Sequence, residues 1–291
     1  MDNSRLPDGL HSRSRRPSAT DHGAAAFNVM SLFSGICGLE RGLRQAVSAT
    51  RTVGYVERGA AAIGVLAEQV SRGALDWAPI CTDVRELDGR PWCGLVDCIT
   101  AGFPCQPWSV AGSRRGVDDE RWLWKHIARI IREVGPGYVF LENVRGLLIA
   151  NEPAGIDPVL GGLAGLGFDA EWGVFFGTDV GSPQLRPRVF ILARAPHAAR
   201  VTLADPDRFG EGPRPTTGTG VYPPGPHGDW ETWLQQRPGT EPAVYRDADG
   251  VPDRLDIDWE DRLHMLGNAV VPDVAALAFR VLAGRLGMLR Q

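Results

Sequence analysis

The sequence contains no long hydrophobic run, which limits the classes of protein it can encode. No stretch approaches the roughly 20 consecutive apolar residues of a transmembrane helix, and the N-terminus lacks the apolar core of a signal peptide. In a chain of 291 residues, 43% hydrophobic and 23% charged residues are enough to form a sizeable core. We therefore expect a globular cytoplasmic protein with one large domain and a smaller one.

Cysteine is scarce, and its spacing suits neither disulfides nor zinc. The number of cysteines, five, is odd, and the chain has no export signal; both facts favour free thiols in a reducing compartment. No two of them show C-x-x-C spacing with a histidine nearby, so we expect no bound metal. The five are Cys37, Cys81, Cys93, Cys98 and Cys105.

Two nucleotide-binding motifs are also missing. The sequence has no G-x-x-x-x-G-K-[ST] phosphate-binding loop and no complete G-x-G-x-x-G motif. A nucleoside without a phosphate chain is therefore a better fit than a triphosphate or a dinucleotide. The net charge of −4 neither requires nor excludes a polyanionic partner, because the distribution of charge matters more than its sum.

Short apolar runs typical of buried strands alternate with amphipathic segments typical of helices from Phe27 onward. This alternation predicts an α/β fold with a mostly parallel, doubly wound, Rossmann-like sheet that helices cover on both faces. Strands are predicted over residues 27–33, 52–57, 79–84, 95–103, 137–143 and 189–193, and helices over 39–47, 58–70, 122–134 and 271–289.

The first three predicted strands each end close to a group that suits a nucleoside. A turn with Gly35 and Gly38 follows the first strand, and Glu57 ends the second about 20 residues later, where a carboxylate can accept hydrogen bonds from ribose hydroxyls. Asp83 ends the third. Tight turns use glycine for steric reasons in any protein, so the glycines alone are weak support. The three groups together predict a nucleoside pocket.

The fourth predicted strand leads into a rigid turn, G-F-P-C-Q-P, in which two prolines bracket Cys105. The next strand ends at Glu142, and a carboxyl group beside an apolar strand keeps its proton more readily because desolvation disfavours the charged form. A thiol and an acid facing a nucleoside suggest addition of sulfur to C6 of a pyrimidine with an acid at N3, which makes C5 nucleophilic. The alternatives are an inert buried thiol and a carboxylate at a helix start.

Five segments in one order resemble the motifs of the DNA cytosine-5 methyltransferase family, in its short bacterial or phage form. The resemblance covers about residues 27–193 and the chain from residue 266 onward. Because five motifs occur in the family's order and spacing, the resemblance is specific. They are SLFSGICGLE, GFPCQPWSVAG, LENV, SPQLRPRVFILA and LGNAVVP.

The resemblance implies methyl transfer from S-adenosylmethionine to C5 of a flipped-out cytosine in duplex DNA, through a covalent bond between Cys105 and C6. It implies that Glu142 engages N3 of the base, and that Arg186 and Arg188 hold the base and order the site. Further implied substrate contacts are Gln106, Ser109, Asn143 and Gln184. Implied cofactor contacts are Phe33, Ser34, Gly35, Gly38, Glu57, Asp83, Val84, Gly102, Pro104, Leu123, Asn268 and Val270.

Four parts of the chain are expected: a disordered N-terminal arm (1–26), a catalytic cofactor-binding domain (27–198), a small variable target-recognition domain (199–262) and a C-terminal helix that returns to the catalytic domain (263–291). Residues 201–262 contain thirteen acidic residues and six arginines, a net charge of −7 that suits phosphate contacts poorly. The grip on DNA is therefore expected from arginines of the catalytic domain, namely Arg114, Arg115, Arg121, Arg186 and Arg188.

Three residues depart from the family pattern: Ser31 where Asp is usual, Cys37 where Gly is usual and Ala269 where Ser is frequent. A cysteine held at positive φ would cost on the order of 1 kcal/mol. The alternative functions are a cytosine-5 enzyme acting on transfer RNA, a one-carbon transferase acting on a free pyrimidine nucleotide, and a non-catalytic DNA-binding relative. We expect a monomer acting on double-stranded DNA, without a membrane; the target sequence and a cognate restriction endonuclease stay open.

Overall fold

A seven-stranded sheet forms the centre of the protein. The computed structural model describes residues 26–104, 123–149, 155–204 and 259–289. The strands are β1 (Phe27–Leu32), β2 (Thr50–Val56), β3 (Ile80–Cys81), β4 (Cys98–Gly102), β5 (Tyr138–Val144), β6 (Asp169–Phe175) and β7 (Arg188–Arg194). Their order is β3-β2-β1-β4-β5-β7-β6; neighbours among the first five strands are parallel, whereas β7 runs antiparallel to β5 and β6. The predicted mostly parallel α/β fold is confirmed.

Helices cover both faces of this sheet. The described residues include α1 (Gly38–Ala46), α2 (Ala60–Ser71), α3 (Trp124–Val134), α4 (Gly146–Ile149), α5 (Ile156–Gly165), α6 (Trp259–Asn268) and α7 (Pro272–Arg285). Alternate strand residues point to opposite faces. In β5, Phe140 packs edge-on against Phe279 of α7 with ring centroids 5.4 Å apart, whereas Leu141 belongs to the core cluster of Ile127 in α3. Burial on both faces is typical of parallel sheets.

Helix α7 and the segment just before it approach α1 at two glycines of α1. A Cβ on Gly38 would lie 2.1 Å from the carbonyl oxygen of Val270, and one on Gly42 would lie 2.4 Å from that of Pro272. Both distances are too short for any other side chain. The two glycines of this G-x-x-x-G sequence therefore allow α7 and the residues just before it to pack closely against α1, which begins directly after the turn that follows β1.

The C-terminal helices contain one strongly apolar window. By length and composition alone, residues Glu260–Arg285 could cross a membrane. The two helices of this window are separate, however, because α6 ends at Asn268 and α7 begins at Pro272. The α7 side chains from Val274 to Phe279 are buried in the core cluster that also contains Phe140. Packing against the sheet accounts for the apolar composition.

The structure differs from the sequence prediction in a few elements. Strand β3 has two residues instead of the six predicted over 79–84, because the chain turns at Asp83, whose side chain accepts the N–H of Arg85 at 2.9 Å. The helices α4 and α5 and the strand β6 go beyond the prediction, and the C-terminal helix predicted over 263–291 corresponds to the end of α6 together with α7. Residues 1–25 of the predicted arm and 205–258 of the predicted variable domain lie outside the described residues, and the predicted boundary after residue 262 falls within α6.

Candidate active site

The carboxyl ends of the parallel strands lie side by side and carry the predicted site residues. Leu32 at the end of β1 pairs with Ala101 of β4, and Gly102 pairs with Glu142 of β5. Ligands of open parallel sheets bind at this edge. The sheet therefore brings the predicted nucleoside-binding and reactive residues to one place.

The turn after β1 has an unusual backbone and is tied to β2. Phe33, Gly35 and Cys37 have φ values of 54°, 52° and 63°. The buried Ser34 accepts the N–H of Val56 on its Oγ at 3.2 Å. A Cβ on Gly35 would have no atom within 4 Å, so the main chain of the turn faces open space. This turn can accept a ligand directly against its backbone.

Glu57, at the end of β2, holds this turn through its carboxylate. Its Oε2 accepts the N–H of Gly35 at 2.8 Å, and its Oε1 accepts those of Arg58 at 2.8 Å and Gly59 at 2.7 Å. A carboxylate has about four lone-pair positions. Glu57 can therefore fix the turn and still accept a hydrogen bond from a ribose hydroxyl.

A buried carboxyl group lies beneath the same turn and was missing from the predicted site. Thr100 donates to Oε1 of Glu40 at 2.6 Å, whereas Oε2 has no hydrogen-bond partner among the described residues. Burial raises the pKa of Glu40, and the bond from Thr100 offsets the shift only in part. The signal in the sequence was an acidic residue three positions before Leu43 on the apolar face of α1.

Asp83 and Val84 follow β3 at the edge next to β2. Both carboxylate oxygens of Asp83 accept hydrogen bonds from the guanidinium group of Arg85. The bonds from Arg85 lower the pKa of Asp83 to about 2, so the side chain is a carboxylate throughout the neutral range. Val84 is buried against the core. A negative acceptor beside an apolar wall suits a heterocycle with an exocyclic amine.

Glu142 is the buried acid of the site. Its side chain is 7% exposed, and Nε of Arg188 lies 3.1 Å from its Oε1. A Cβ on Gly102 would lie 3.4 Å from its Oε2, so the end of β4 leaves room for this carboxyl group. Desolvation raises the pKa of Glu142 to about 7, against the opposing charges of Arg188 and Arg186. The group can therefore exchange a proton near neutral pH.

The chain that leads toward the predicted nucleophile is fixed by contacts from β5 and α3. Asn143 donates from Nδ2 to the carbonyl oxygen of Phe103 at 3.1 Å. The ring of Phe103 is buried and lies against Trp124, with centroids 6.4 Å apart. Pro104 follows as an exposed residue. The predicted residues Cys105, Gln106 and Ser109 lie outside the described residues.

Arg186 binds the end of α6 and the segment that follows it. Its Nη2 lies 3.0, 2.7 and 2.6 Å from the carbonyl oxygens of Leu266, Gly267 and Ala269, and its backbone has a φ of 30°. Nη2 of Arg188 lies 3.5 Å from the Gly267 carbonyl. Both guanidinium groups thus bind groups of the protein itself, and the expectation that these two arginines also grip DNA stays a prediction.

The segment between α6 and α7 connects Arg186 to the turn after β1. Val270 reaches that turn through its main chain at Gly38. Asn268 is exposed, and its Nδ2 lies 3.1 Å from Nε2 of His264. The predicted cofactor contacts near the C-terminus therefore lie on a segment held from two sides.

Two predicted residues lie at the margins of this arrangement. Gln184 is exposed, and its N–H donates to Oγ of Ser182 at 3.3 Å. Leu123 precedes α3, where its carbonyl oxygen accepts the N–H of Ile127 at 3.2 Å. Their side chains contribute less to the site geometry than the strand-end residues do.

The hydrogen-bond acceptors at the strand ends fit an adenosyl group. Glu57 and Asp83 offer carboxylates at neighbouring strand ends, which suit ribose hydroxyls and an exocyclic amine. The main chain at Gly35 is open to a ligand. Among the residues that the structure describes, no group of three or more His, Cys, Asp or Glu side chains could hold a metal ion.

Comparison with known proteins gives a consistent result. Type II methyltransferase M.NgoMIV of Neisseria gonorrhoeae is 39% identical over 118 residues, covering 40% of this chain and 38% of that protein. Type II methyltransferase M.Eco47II of Escherichia coli is 28% identical over 183 residues, covering 62% and 42%. The matched regions thus span less than half the length of these two relatives. The S. pombe Dnmt2 methyltransferase structure superimposes with a TM-score of 0.59 over 89% of this chain and 99% of that one, at 15% identity.

The strand order, the antiparallel β7 and the carboxylates at the sheet edge define a Rossmann-like methyltransferase fold. At 15% identity, the S. pombe structure supports this fold alone. Residues 27–207 match the C-5 cytosine-specific DNA methylase family, and the chain belongs to that family.

Proposed function

We propose that the protein transfers a methyl group from S-adenosylmethionine to C5 of a flipped-out cytosine in double-stranded DNA. The observation that carries the proposal is the buried carboxyl group of Glu142, 3.1 Å from Arg188 and opposite the strand that leads to Cys105. A pKa of about 7 suits an acid that must protonate a base at neutral pH. The family description and the Type II names of the relatives support DNA as the substrate.

In the proposed reaction, the thiolate of Cys105 forms a bond to C6 of the cytosine while Glu142 protonates N3. This addition breaks the C5–C6 π bond and leaves an enamine across C4 and C5, so C5 becomes the nucleophile. After C5 has gained the methyl group, transfer of the C5 proton to water and release of the Cys105 thiolate restore the aromatic ring. N3 then returns its proton to Glu142.

The residues at the other strand ends would hold the cofactor. Glu57 would accept from the ribose, Asp83 and Val84 would meet the adenine, and the turn at Gly35 would receive the methionine part. Bound S-adenosylmethionine would supply an electrophilic methyl group on sulfur. Because the base must reach a buried acid, it must leave the duplex stack, which costs a few kcal/mol. The Type II names also support a role in DNA modification beside a cognate restriction endonuclease.

A transfer assay tests the substrate class. The full chain is incubated with labelled S-adenosylmethionine and, in separate reactions, duplex DNA, transfer RNA or free deoxycytidine monophosphate. We expect label at C5 of cytosine in duplex DNA and background counts in the other two. Label in transfer RNA or the mononucleotide instead would show that this molecule, and not duplex DNA, is the substrate. No label in any of the three would support the alternative that the protein is a non-catalytic relative.

A trapping experiment tests the covalent step. Duplex DNA with 5-fluorocytosine at the target site should form a denaturation-resistant complex that requires S-adenosylmethionine, because fluorine cannot leave C5 as the proton does. Cys105→Ala should abolish the complex and turnover. Cys93→Ala, which changes an exposed cysteine, should leave both intact. Unchanged turnover in Cys105→Ala would refute the mechanism.

A further inference from the structure

Two side chains of α3 hold the loop of residues 83–89, which carries the proposed adenine contacts. Nη1 of Arg129 donates to the carbonyl oxygen of Leu87 at 2.8 Å, and its Nη2 donates to that of Val84 at 3.0 Å. These carbonyls lie 42 and 45 residues before Arg129 in the chain. One guanidinium group therefore fixes the loop at two points.

Glu133, one turn further along α3, completes this clamp. Its Oε2 accepts the N–H of Gly89 at 2.8 Å, and its two oxygens lie 3.0 and 2.9 Å from Nη1 of Arg129. Burial opposes ionisation, but the bonds from Gly89 and Arg129 prevail and lower the pKa of Glu133. The clamp is thus an ion pair whose two members each bind the main chain of the loop.

Gly89 shows how closely the loop approaches α3. A Cβ at this position would lie 2.9 Å from Cβ of Glu133 and 3.1 Å from Cγ2 of Val134. Neither atom is the free end of a flexible side chain, so a larger residue would push the loop away. This contact offers a way to displace the loop without changing Arg129 or Glu133.

The loop needs such a clamp because the sheet gives it little support. Strand β3 has two residues, Ile80 and Cys81, and within the described part of the chain it pairs with β2 alone. A planar guanidinium group presents donors in a fixed fork, so it sets positions of two carbonyls that a lysine ammonium cannot reach together. The side chains that follow β3 are therefore placed by α3 as much as by the sheet.

We propose that Arg129 and Glu133 are positioning residues for the cofactor: they fix the 83–89 loop so that Asp83 and Val84 meet the adenine ring. This inference rests on the proposed function. Neither residue would touch the cofactor, and both act through the loop. Their loss should therefore weaken recognition of the adenine ring specifically, instead of lowering affinity for every part of the ligand equally.

Calorimetric binding of two ligands to the full chain tests the inference. One ligand is S-adenosylhomocysteine, and the other is its analogue without the 6-amino group of the purine. The natural protein should prefer the first by about tenfold, the effect of one hydrogen bond to a charged group. Arg129→Lys and Gly89→Ala should each weaken binding of S-adenosylhomocysteine by about tenfold and reduce the preference to about twofold.

Two controls separate positioning from general destabilisation. Arg132→Ala changes an exposed residue of the same helix and should leave both affinities unchanged. Ile127→Val removes one methyl group from the core side of α3 and lowers the thermal midpoint; it should keep the tenfold preference. Thermal unfolding of every variant measures how far each substitution lowers stability, so that the changes in affinity can be compared with it.

The outcomes are distinguishable. A full preference for the 6-amino ligand in both Arg129→Lys and Gly89→Ala would overturn the positioning role. Absence of a preference in the natural protein would overturn the adenine assignment of Asp83 and the inference with it. Normal binding and preference without methyl transfer to DNA would leave the inference standing and refute the proposed function.

Discussion

The carboxyl group of Glu142 links folding stability to pH. Its pKa rises from an ordinary 4.5 to about 7 on folding, so the unfolded chain releases this proton at lower pH than the folded one. Stability therefore falls as pH rises between these values. We predict that the free energy of unfolding loses roughly 3 kcal/mol between pH 4.5 and 7 from this group alone. Urea unfolding at pH 5 and 8 should show a smaller difference between the two pH values for Glu142→Gln.

The same substitution bears on chemistry. If Glu142 protonates N3, Glu142→Gln should lower the rate of methyl transfer by roughly 10²-fold, the range of general acid catalysis, while affinity for S-adenosylmethionine stays nearly constant. Glu171→Gln, at a half-exposed position of β6, serves as the control for both measurements. Equal pH dependence of stability in the natural protein and Glu142→Gln would contradict the assigned pKa. Loss of cofactor binding in Glu142→Gln would show that Glu142 belongs to the cofactor pocket and not to the pocket for the base.

Cys37 combines a strained backbone with a buried side chain. It is fully buried in a cluster with Tyr55 and Leu66, and its φ of 63° is one that glycine adopts freely. An L-residue pays on the order of 1 kcal/mol for this conformation. We predict that Cys37→Gly is more stable than Cys37→Ala by roughly 1 kcal/mol, although alanine keeps more of the buried volume. Denaturant unfolding of the two variants measures this difference in stability. A more stable alanine variant would show that the turn changes its backbone conformation to accommodate alanine.

At the scale of elements, two helical glycines should respond in opposite ways to alanine. Gly42 in α1 has no room, because a Cβ there would lie 2.4 Å from the Pro272 carbonyl oxygen. We predict that Gly42→Ala destabilises the protein by about 2 kcal/mol or more, within the range of overpacked cores. A Cβ on Gly64 in α2 would have no atom within 4 Å. Gly64→Ala should therefore stabilise the protein by about 1 kcal/mol through helix propensity.

Thermal unfolding of these two variants, measured side by side, provides the check. Gly64→Ala controls for the general effect of removing a glycine from a helix. Equal shifts in the midpoint for both variants would show that α1 and α7 can move apart at little cost, and that the close approach does not determine the packing.

The sequence predicts best those features that depend on local pattern. Strands β1, β2, β4, β5 and β7 overlap their predicted ranges, because a buried parallel strand needs a continuous apolar run. Strand β6 was not predicted: it lies at the sheet edge, mixes acidic and apolar residues, and gains its order from pairing with β7.

The site residues also divide into those that the local sequence pattern predicts and those that depend on tertiary contacts. The residue types at strand ends, such as Glu57 and Glu142, could be predicted because parallel strands bring their carboxyl ends to one edge. The partners of Arg186 could not, since they are main-chain carbonyl oxygens about 80 residues away and carry no side-chain signature. The buried position of Glu40 also depends on tertiary packing, with Thr100 as partner 60 residues on.

At the scale of the whole molecule, the distribution of charge should govern how DNA is held. Residues 201–262 have a net charge of −7, which leaves +3 for the rest of the chain. Because Arg186 and Arg188 also bind groups of the protein itself, we expect most phosphate contacts from the other three predicted arginines, Arg114, Arg115 and Arg121, which lie outside the described residues. We predict that affinity for duplex DNA falls by about 10- to 100-fold between 50 and 200 mM salt, as expected for about three phosphate contacts. Filter binding over a salt series measures the slope.

Single substitutions make this prediction sharper. Arg114→Ala, Arg115→Ala and Arg121→Ala should each reduce the salt slope by about one, whereas Arg132→Ala should not change it. The recognition sequence should be short, about two to four base pairs, because few base contacts are expected from the acidic segment. Single-base sequencing of DNA from cells expressing the protein reads it directly. A long, stringent sequence would show that this segment reads bases.

The contact between Gly38 and Val270 determines the order in which the molecule can be completed during synthesis. Val270 leaves the ribosome 232 residues after Gly38, when every strand of the described sheet has already been made. Until then the turn after β1 lacks one wall, and Arg186 lacks the carbonyl groups that it binds. The ligand edge can therefore be completed only after the segment between α6 and α7 has been made.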